Sequence, residues 1–375
     1  MWEQSKIERR PGGLTDQERH DWLRLARTPR VGPVTFFQLI ARFGDAKTAL
    51  NAFPNLSTGQ RATKPPSPAV VDRELKSSAA LGATVLCAIE DDFPPLLKHF
   101  SHPPPVLTCL GNIQLTQRRC IAIVGARQAS AAGRKLARDI ARDLSKAGFV
   151  IASGLGRGID GEAHAASLSG GTIAVLGGGI DHIYPPQHER LHGEIAKHGL
   201  LISESPFGHR ATARDFPRRN RIITGLAEGV VVIEAAERSG SLISARTALE
   251  QNREVMSVPG SPLDPRSAGT NRLLREGATL VRHADDIIEA LSRSAIPPVE
   301  SPPSPQYNLG IESEADIPES QLEQVQSVLG PTPISISEIA RVCQLSPSRC
   351  AVILVELELA GLARTYAGGL ASIAL

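Results

Sequence analysis

The chain has 375 residues, 41% hydrophobic and 21% charged, which is enough apolar material for a full-sized core with accessory modules and excludes a mostly disordered chain. Its formal net charge is only +2, so a polyanionic partner would have to be held by a local basic patch, because there is no global field to hold it. The five cysteines, Cys87, Cys109, Cys120, Cys343 and Cys350, form no C-x-x-C pair, which argues for reduced core residues over a disulfide framework or a zinc knuckle.

The amino terminus, Met1 to Pro11, carries no apolar stretch, and no window reaches the apolar length of a membrane span. A cytoplasmic location without a membrane partner is expected. The first helical pattern starts after Thr15, an N-cap with Glu18 three residues on, and carries Trp22, Leu23 and Leu25. Arg30-Val31-Gly32-Pro33 then turns the chain into a second amphipathic helix, Thr35 to Phe43, closed by Gly44. This unit resembles a helix-hairpin-helix, whose turn amides can hold a DNA phosphate; the alternative is a small packing module. Residues 55–69 are rich in Pro, Ser and Thr and are expected to be a linker.

From about residue 83, short apolar runs alternate with helix-length segments. Strands are expected at 120–124, 149–152, 172–176, 200–203, 230–234 and 254–258, with shorter ones at 84–88, 106–109 and 278–281. Helices are expected near 132–146, 160–168, 187–198, 218–226 and 242–252. Unbroken apolar strands between helices demand a sheet covered on both faces. The pattern therefore predicts an extended Rossmann-like, mostly parallel α/β domain with its ligand crevice at the carboxyl ends of the strands. After a second Pro/Ser-rich linker come a short helix over 336–342, Ser346 as N-cap with Pro347 opening a helix to Leu359, and a hairpin around Gly368-Gly369. That order predicts a winged helix. The expected division is a helical domain at 1–70, the Rossmann-like domain at 71–290, a linker at 291–320 and a winged-helix-like domain at 321–375.

Three strand ends carry glycine-dense turns: Gly125-Ala126-Arg127, Ser153 to Gly161, and Gly177-Gly178-Gly179. Glycine is needed where the backbone turns sharply or approaches a ligand closely. The second turn runs from a strand into a helix, so the amides around Gly154, Gly156 and Gly158 make a nest for a phosphate or carboxylate, with Ser153 and Arg157 as side-chain donors. The alternative is a set of tight turns that hold nothing. No G-K-[ST] is present, and the third glycine of a dinucleotide fingerprint falls at Ile159, with Gly158 one residue early. ATP hydrolysis and NAD chemistry thus have little local support, even with Asp181 at the distance of a ribose-binding acid, and no cofactor is expected.

The segment His209 to Arg221 is the strongest basic feature, with five arginines around Phe216. Arginine forks such as Arg218, Arg219 and Arg221 grip phosphate bidentately, and Phe216 can stack on an unpaired base. In the alternative Phe216 is a core anchor, the charges are solvated, and Arg219 or Arg221 pairs with Glu204 or Glu234. Glu234, at a strand end before Ser239-Gly240-Ser241, is assigned to orienting an arginine or a backbone amide. His188-Glu189-Arg190-Leu191-His192 fits H-E-x-x-H with His198 as a third ligand, but Ile195 stands where the metalloprotease pattern needs glycine. Surface histidines and no metal are expected. There is no G-x-S-x-G elbow. The last long helix carries Arg349 but also Glu356 and Glu358, which favours protein contact or autoregulatory packing over groove reading.

In order, Val124-Gly125-Ala126-Arg127 with Ser130, Ser153 through Asp160, Ala163-His164, Gly171 to Gly177, Tyr184-Pro185, Ser203-Glu204, Phe216 to Ile223, Glu234-Ala235 with Ser239 to Leu242, and Val258-Pro259-Gly260 with Gly269-Thr270-Asn271 resemble the DprA/Smf family of DNA-processing proteins over about 106–283. The flanking modules resemble that family's SAM-like amino-terminal and winged-helix carboxy-terminal domains. The resemblance implies a non-catalytic binder of single-stranded DNA that dimerises through its Rossmann-like domain, protects incoming DNA and loads it with the recombinase RecA during natural transformation. It implies that Arg127 anchors a phosphate beside the nest from Ser153 to Gly158, and that Phe216, Arg218, Arg219, Asn220 and Arg221 border the same pocket. Gly125, Ser130, Gly177, Ser239 and Gly240 complete the expected DNA-contacting set. Gly156 stands where many members have alanine. The alternatives are a nucleotide- or nucleoside-processing α/β enzyme with Glu234 as acid or base, and a protein-recruiting scaffold.

Overall fold

The computed structural model describes residues 13–56, 63–100, 102–294, 318–366 and 369–374. These residues fold as two compact units: Arg73–Pro297, and the two chain ends together, Met1–Asp72 with Pro298–Leu375.

The chain opens with α1 (Asp16–Ala26), α2 (Pro33–Phe43) and α3 (Ala46–Leu56). Thr15 caps α1 as expected: its side chain accepts from Glu18 N, while the Glu18 carboxylate accepts from Thr15 N at 2.9 Å. Trp22 packs on Phe36 with ring centroids 4.9 Å apart, and Phe36 on Phe37 at 5.2 Å. α3 and the following helix, α4 (Pro68–Ala80), correct the sequence expectation, which had no helix at 46–56 and extended a linker to residue 69. Pro54 lies within α3 near its end, and Pro68 sits at the start of α4 where a missing N–H costs nothing. Residues 57–62 of that linker lie outside the described residues.

The larger unit then runs β1 (Thr84–Cys87), α5 (Pro95–Lys98), β2 (Val106–Gly111), β3 (Cys120–Gly125), α6 (Ala131–Lys146), β4 (Val150–Ser153), α7 (Ile159–Ser167), β5 (Thr172–Leu176), α8 (Glu189–His198), β6 (Leu200–Ser203), α9 (Asp215–Gly225), β7 (Gly229–Ile233), α10 (Gly240–Glu250), β8 (Glu254–Ser257), α11 (Ala268–Arg275), β9 (Thr279–Leu280) and α12 (Ala284–Ser294). Its nine strands form one sheet in the order β1-β2-β6-β5-β4-β3-β7-β8-β9. Pairing is parallel from β6 to β9 and antiparallel only where β2 meets β1 and β6. The expected Rossmann-like, mostly parallel sheet is therefore present. Every residue of β4, β5, β6 and β7 is buried, which is why their sequences are apolar except at the strand ends, where the Ser153, Thr172 and Ser203 hydroxyls bond to backbone carbonyls. On one face, Ile140, Leu144, Ile159 and Ile287 pack on Ile121, Ile151 and Val231; elsewhere Ile195 packs with Ala174, Leu176 and Leu201. Strand order reverses between β3, which is followed by β4 on one side, and β7 on the other, so connections diverge there and open a crevice at the carboxyl ends.

The carboxy-terminal module comprises α13 (Glu319–Val328), β10 (Ile334–Ser335), α14 (Ile336–Cys343), α15 (Pro347–Leu359), β11 (Ala363–Tyr366) and β12 (Leu370–Ile373). Ser346 caps α15 by accepting from Arg349 N, with Pro347 in its first turn, and β11 pairs with β12 as the wing. α13 was not expected; it supplies Val325, and Leu329 just past its end, to the core of this winged helix. All five cysteines are free and buried, as expected for reduced core residues.

Replacing Ile151, fully buried on β4, with alanine is expected to cost about 2–5 kcal/mol of unfolding free energy by loss of transfer energy and creation of a cavity. Urea unfolding followed by far-ultraviolet circular dichroism measures it, because Trp22 reports on the other unit.

Candidate nucleic-acid interface

The crevice is built from the turns that follow β3, β4, β5 and β7. The first turn leaves β3 at Gly125 and enters α6 at Ser130, whose hydroxyl accepts from Gly133 N at 2.9 Å. Glu234 fixes this turn from the far side of the switch point. Its carboxylate accepts from Ser130 N at 2.8 Å and from the Ser130 hydroxyl. The backbone of Glu234 is in the left-handed region, φ 53°, so β7 ends at Ile233, one residue short of the expected strand. The assignment of Glu234 to orienting a backbone amide holds, with Ser130 as its partner. Arg127 is left exposed at the tip of the turn with its guanidinium 4.9 Å from the centroid of the Phe216 ring.

The second turn, Ser153 to Gly158, turns on Leu155, a buried non-glycine residue with φ 56°. Such a conformation persists only when its surroundings over-determine it. Two imidazoles do so here. Leu155 N donates to His164 Nε2 at 3.2 Å, and the Leu155 carbonyl lies 3.0 Å from His188 Nδ1. Because a backbone N–H can only donate, His164 carries its proton on Nδ1, which then donates to Thr172 Oγ1 at 2.7 Å. Thr172 passes the chain on to the Ile151 carbonyl at 2.9 Å. Burial, reinforced by the His188 and Arg219 charges, pushes the His164 pKa down to about 3, in agreement with that neutral tautomer.

Arg219 braces the same turn. Its Nη1 donates to the Gly154 carbonyl at 2.7 Å and to the Val175 carbonyl, so it ties the ends of β4 and β5 together. A Cβ at position 154 would overlap that guanidinium, which is why glycine is required there. Burial lowers the Arg219 pKa to about 10 against the opposing charge of Asp160, whose own pKa burial raises. Asp160 also accepts from Gly156 N at 3.2 Å.

These bonds correct several expectations. Ser153 is fully buried and its hydroxyl donates to the Ile123 carbonyl at 2.6 Å, so it is not a donor to the crevice. The Gly156 amide is committed to Asp160. Arg219 is 8% exposed and committed to carbonyls, with Asn220 Oδ1 accepting from its Nε at 3.2 Å. Arg221 is committed to Glu204, as one of the alternatives had it. The basic segment is also not one continuous loop: α9 begins at Asp215, which accepts from Thr212 N at 2.7 Å, from the Thr212 hydroxyl and from His209 Nε2. Ser239 caps α10, its hydroxyl 2.6 Å from that of Ser241, and Gly240 is exposed. Of the histidines expected at the surface, His198 is exposed, His188 is half-buried and His192 is buried. His192 is 7% exposed, His188 holds Leu155 from a short 3-10 turn before α8, and no metal-binding cluster occurs among the described residues.

What converges is smaller than the expected set. Phe216, half-buried, lies against the third glycine turn, where a Cβ on Gly177 would come within 3.3 Å of its ring. Arg127 stacks on it, the Arg219 guanidinium lies 5.9 Å from its centroid, and Tyr184 stands 5.4 Å away and 41% exposed. Arg157, Arg210, Arg214 and Arg218 are exposed, Arg218 with its Nε 3.5 Å from Glu204. Tyr184, His164 and His188 were not assigned from the sequence to this site. Tyr184-Pro185 was visible as a motif, but its proximity to Phe216 is a property of the sheet order. An exposed guanidinium on an aromatic pair, beside glycine turns, offers a phosphate a fork and a base a stacking surface.

A folded-state His164 pKa near 3 against an ordinary value of 6.5 means that the unfolded chain takes up a proton that the folded chain refuses. Its contribution to stability is present above about pH 6.5 and is lost as pH falls from there toward 3. Unfolding free energy is therefore expected to drop between about pH 6.5 and 5, by up to about 1.4 kcal/mol per unit from this group. In His164→Gln that component of the slope disappears, as denaturant titrations across the range would show.

Family models match three stretches of the chain: DNA recombination-mediator protein A over residues 84–292, DprA-like N-terminal HHH domain over 16–77, and DprA winged helix domain over 312–369. The chain is 36% identical over 304 residues to Protein Smf of Synechocystis, covering 76% of this chain and 75% of that one. It is 42% identical over 222 residues to DNA processing protein DprA of Bacillus subtilis, 58% of this chain and 75% of that one. Among solved structures, DNA processing protein A of Streptococcus pneumoniae superposes with a TM-score of 0.58 at 31% identity, covering 77% of this chain and 96% of that one. DNA processing protein A of Helicobacter pylori, described for its single-stranded DNA binding mode, gives 0.52 at 30% identity over 56% and 96% of the two chains.

Proposed function

The chain belongs to the DprA/Smf family of DNA-processing proteins, and from that premise we propose that it is a non-catalytic binder of single-stranded DNA that protects incoming strands and loads them with the recombinase RecA during natural transformation. The observation that carries this reading is the exposed Arg127 guanidinium held on Phe216 beside Tyr184, over the three glycine turns. A strand phosphate takes the Arg127 fork, Arg157 and Arg218 neutralise its neighbours, and an unpaired base stacks on the aromatic pair. A duplex keeps its bases inside and gains only the phosphate contacts, so the site favours single strands. Gly125, Gly154, Gly158 and Gly177 let the turns pack closely on Ile233, Arg219, Ala126 and Phe216 and so hold the site's shape, and Ser130, Ser239 and Gly240 line the turns on the β7 side.

The single-stranded DNA binding described for the Helicobacter pylori relative supports the same ligand here. The committed carboxylate of Glu234 speaks against the nucleotide-processing alternative that uses it as acid or base: both its oxygens accept from Ser130, so it is not poised to move a proton at a substrate. A homodimer through the Rossmann-like unit would hold one strand at two points and convert two modest sites into one tight one. The protein would work in the cytoplasm, where incoming strands meet the recombinase.

Binding of a labelled unstructured oligonucleotide and of its duplex, measured over a salt series, tests the proposal. The parent is expected to prefer the single strand, with affinity falling as salt rises. Arg127→Ala should weaken single-strand binding at least about tenfold and reduce the salt slope by about 0.7. Phe216→Ala should cost about 1–3 kcal/mol with the slope unchanged. Equal affinity for the two DNA forms, or an Arg127→Ala protein that binds like the parent, would overturn the assignment.

A further inference from the structure

The third helix of a winged helix is the one whose outer face enters a DNA groove. In this chain that helix is α15, and its two faces are distinct. Cys350, Ile353, Leu354 and Leu357 form the inner face and belong to the module's own core. Val355 and Leu359 are equally buried, 3% and 0% exposed, yet are not part of that core. With Glu356 they fall on a second face at helical spacing. α2 of the amino-terminal module packs against α15, within the same compact unit.

The polar contacts give this packing a register. The Thr35 hydroxyl donates to Glu358 Oε2 at 2.9 Å, and Arg42 Nη1 donates to Glu356 Oε1 at 3.1 Å. Thr35 and Arg42 lie seven residues apart on α2, so they share one face. Glu358 also accepts from Thr365 N at 3.1 Å and from the Thr365 hydroxyl at 2.7 Å, which locks the first strand of the wing to the same contact. Two carboxylates on α15 thus meet a guanidinium and a hydroxyl on α2 beside an apolar patch. The same carboxylates would repel a phosphate backbone.

We infer that the outer face of α15 is a docking surface for α2 of the chain's own amino-terminal module, so that the winged helix caps the helical module and withholds this helix from a DNA groove. The inference does not rest on the DNA pocket of the larger unit and stands or falls separately from it.

Amide hydrogen exchange on the full chain tests it. Val355→Asp places a charge on the docking face without touching the winged-helix core, and is expected to speed exchange of the α2 amides at least about tenfold while α13 and α14 keep their protection. Arg42→Glu and Glu356→Arg should each speed α2 exchange by up to about fivefold, and the double reversal should restore protection. Unchanged α2 exchange in Val355→Asp overturns the inference. If Val355→Asp instead unfolds the module, the charge reversals decide, and failure of the double reversal to rescue overturns it. Arg42→Lys supplies an amine for zero-length carbodiimide cross-linking to Glu356. A cross-link between positions 42 and 356 within a product of monomer mass is expected; that same cross-link found by peptide mapping only in a dimer would show that a second copy supplies α15 and would overturn the intramolecular docking.

Discussion

The crevice depends on one buried cation. Arg219 comes from the second turn of α9, yet its guanidinium bonds to carbonyls at the ends of β4 and β5, with Asp160 supplying the nearby negative charge. Burying an unpaired guanidinium is costly, so this arrangement is stable only because its hydrogen bonds and counter-charge are present together. It sets the position of α9 against the sheet, and with it that of Phe216, three residues earlier. Phe216 in turn gives Arg127 its seat. One arginine is internal so that another can face outward, and the two are not interchangeable although both looked like phosphate forks in the sequence.

Around that brace the turns are held by side chains of other elements. Glu234 ties the switch point to the β3 turn, and His164 and His188 hold Leu155 from two sides. None of these three need touch a ligand. Their bonds end on backbone amides or carbonyls, or on the Ser130 and Thr172 hydroxyls, which explains how a loop rich in glycine keeps a defined shape.

The sheet was legible because buried parallel strands leave unbroken apolar runs; Thr172–Leu176 and Leu200–Ser203 lie where periodicity placed them. Thr15, Ser346 and Pro347 marked helix starts through local chemistry, and those too hold. Helices α3, α4 and α13 were not legible: Pro54 interrupts the pattern of the first, Pro68 fell in a stretch whose composition read as linker, and α13 adjoins a Pro-rich stretch. Within the site, residue type announced Arg127, Phe216 and the glycine turns. Which arginine is internal depends on carbonyls supplied by strands more than forty residues away, Gly154 and Val175, and that is a property of sheet order. The hold of Asp215 on the preceding loop was hidden for a related reason, since it needed the end of the loop at Thr212 to be known.

The stack of Arg127 on Phe216 has a thermodynamic corollary. An unrestrained arginine carries roughly 2 kcal/mol of side-chain rotamer entropy, part of which a ligand would normally have to quench. Here the aromatic ring confines the guanidinium before any ligand arrives. Association at such a receptor needs little local rearrangement, so differences among strands should appear in how long they stay bound and much less in how quickly they arrive.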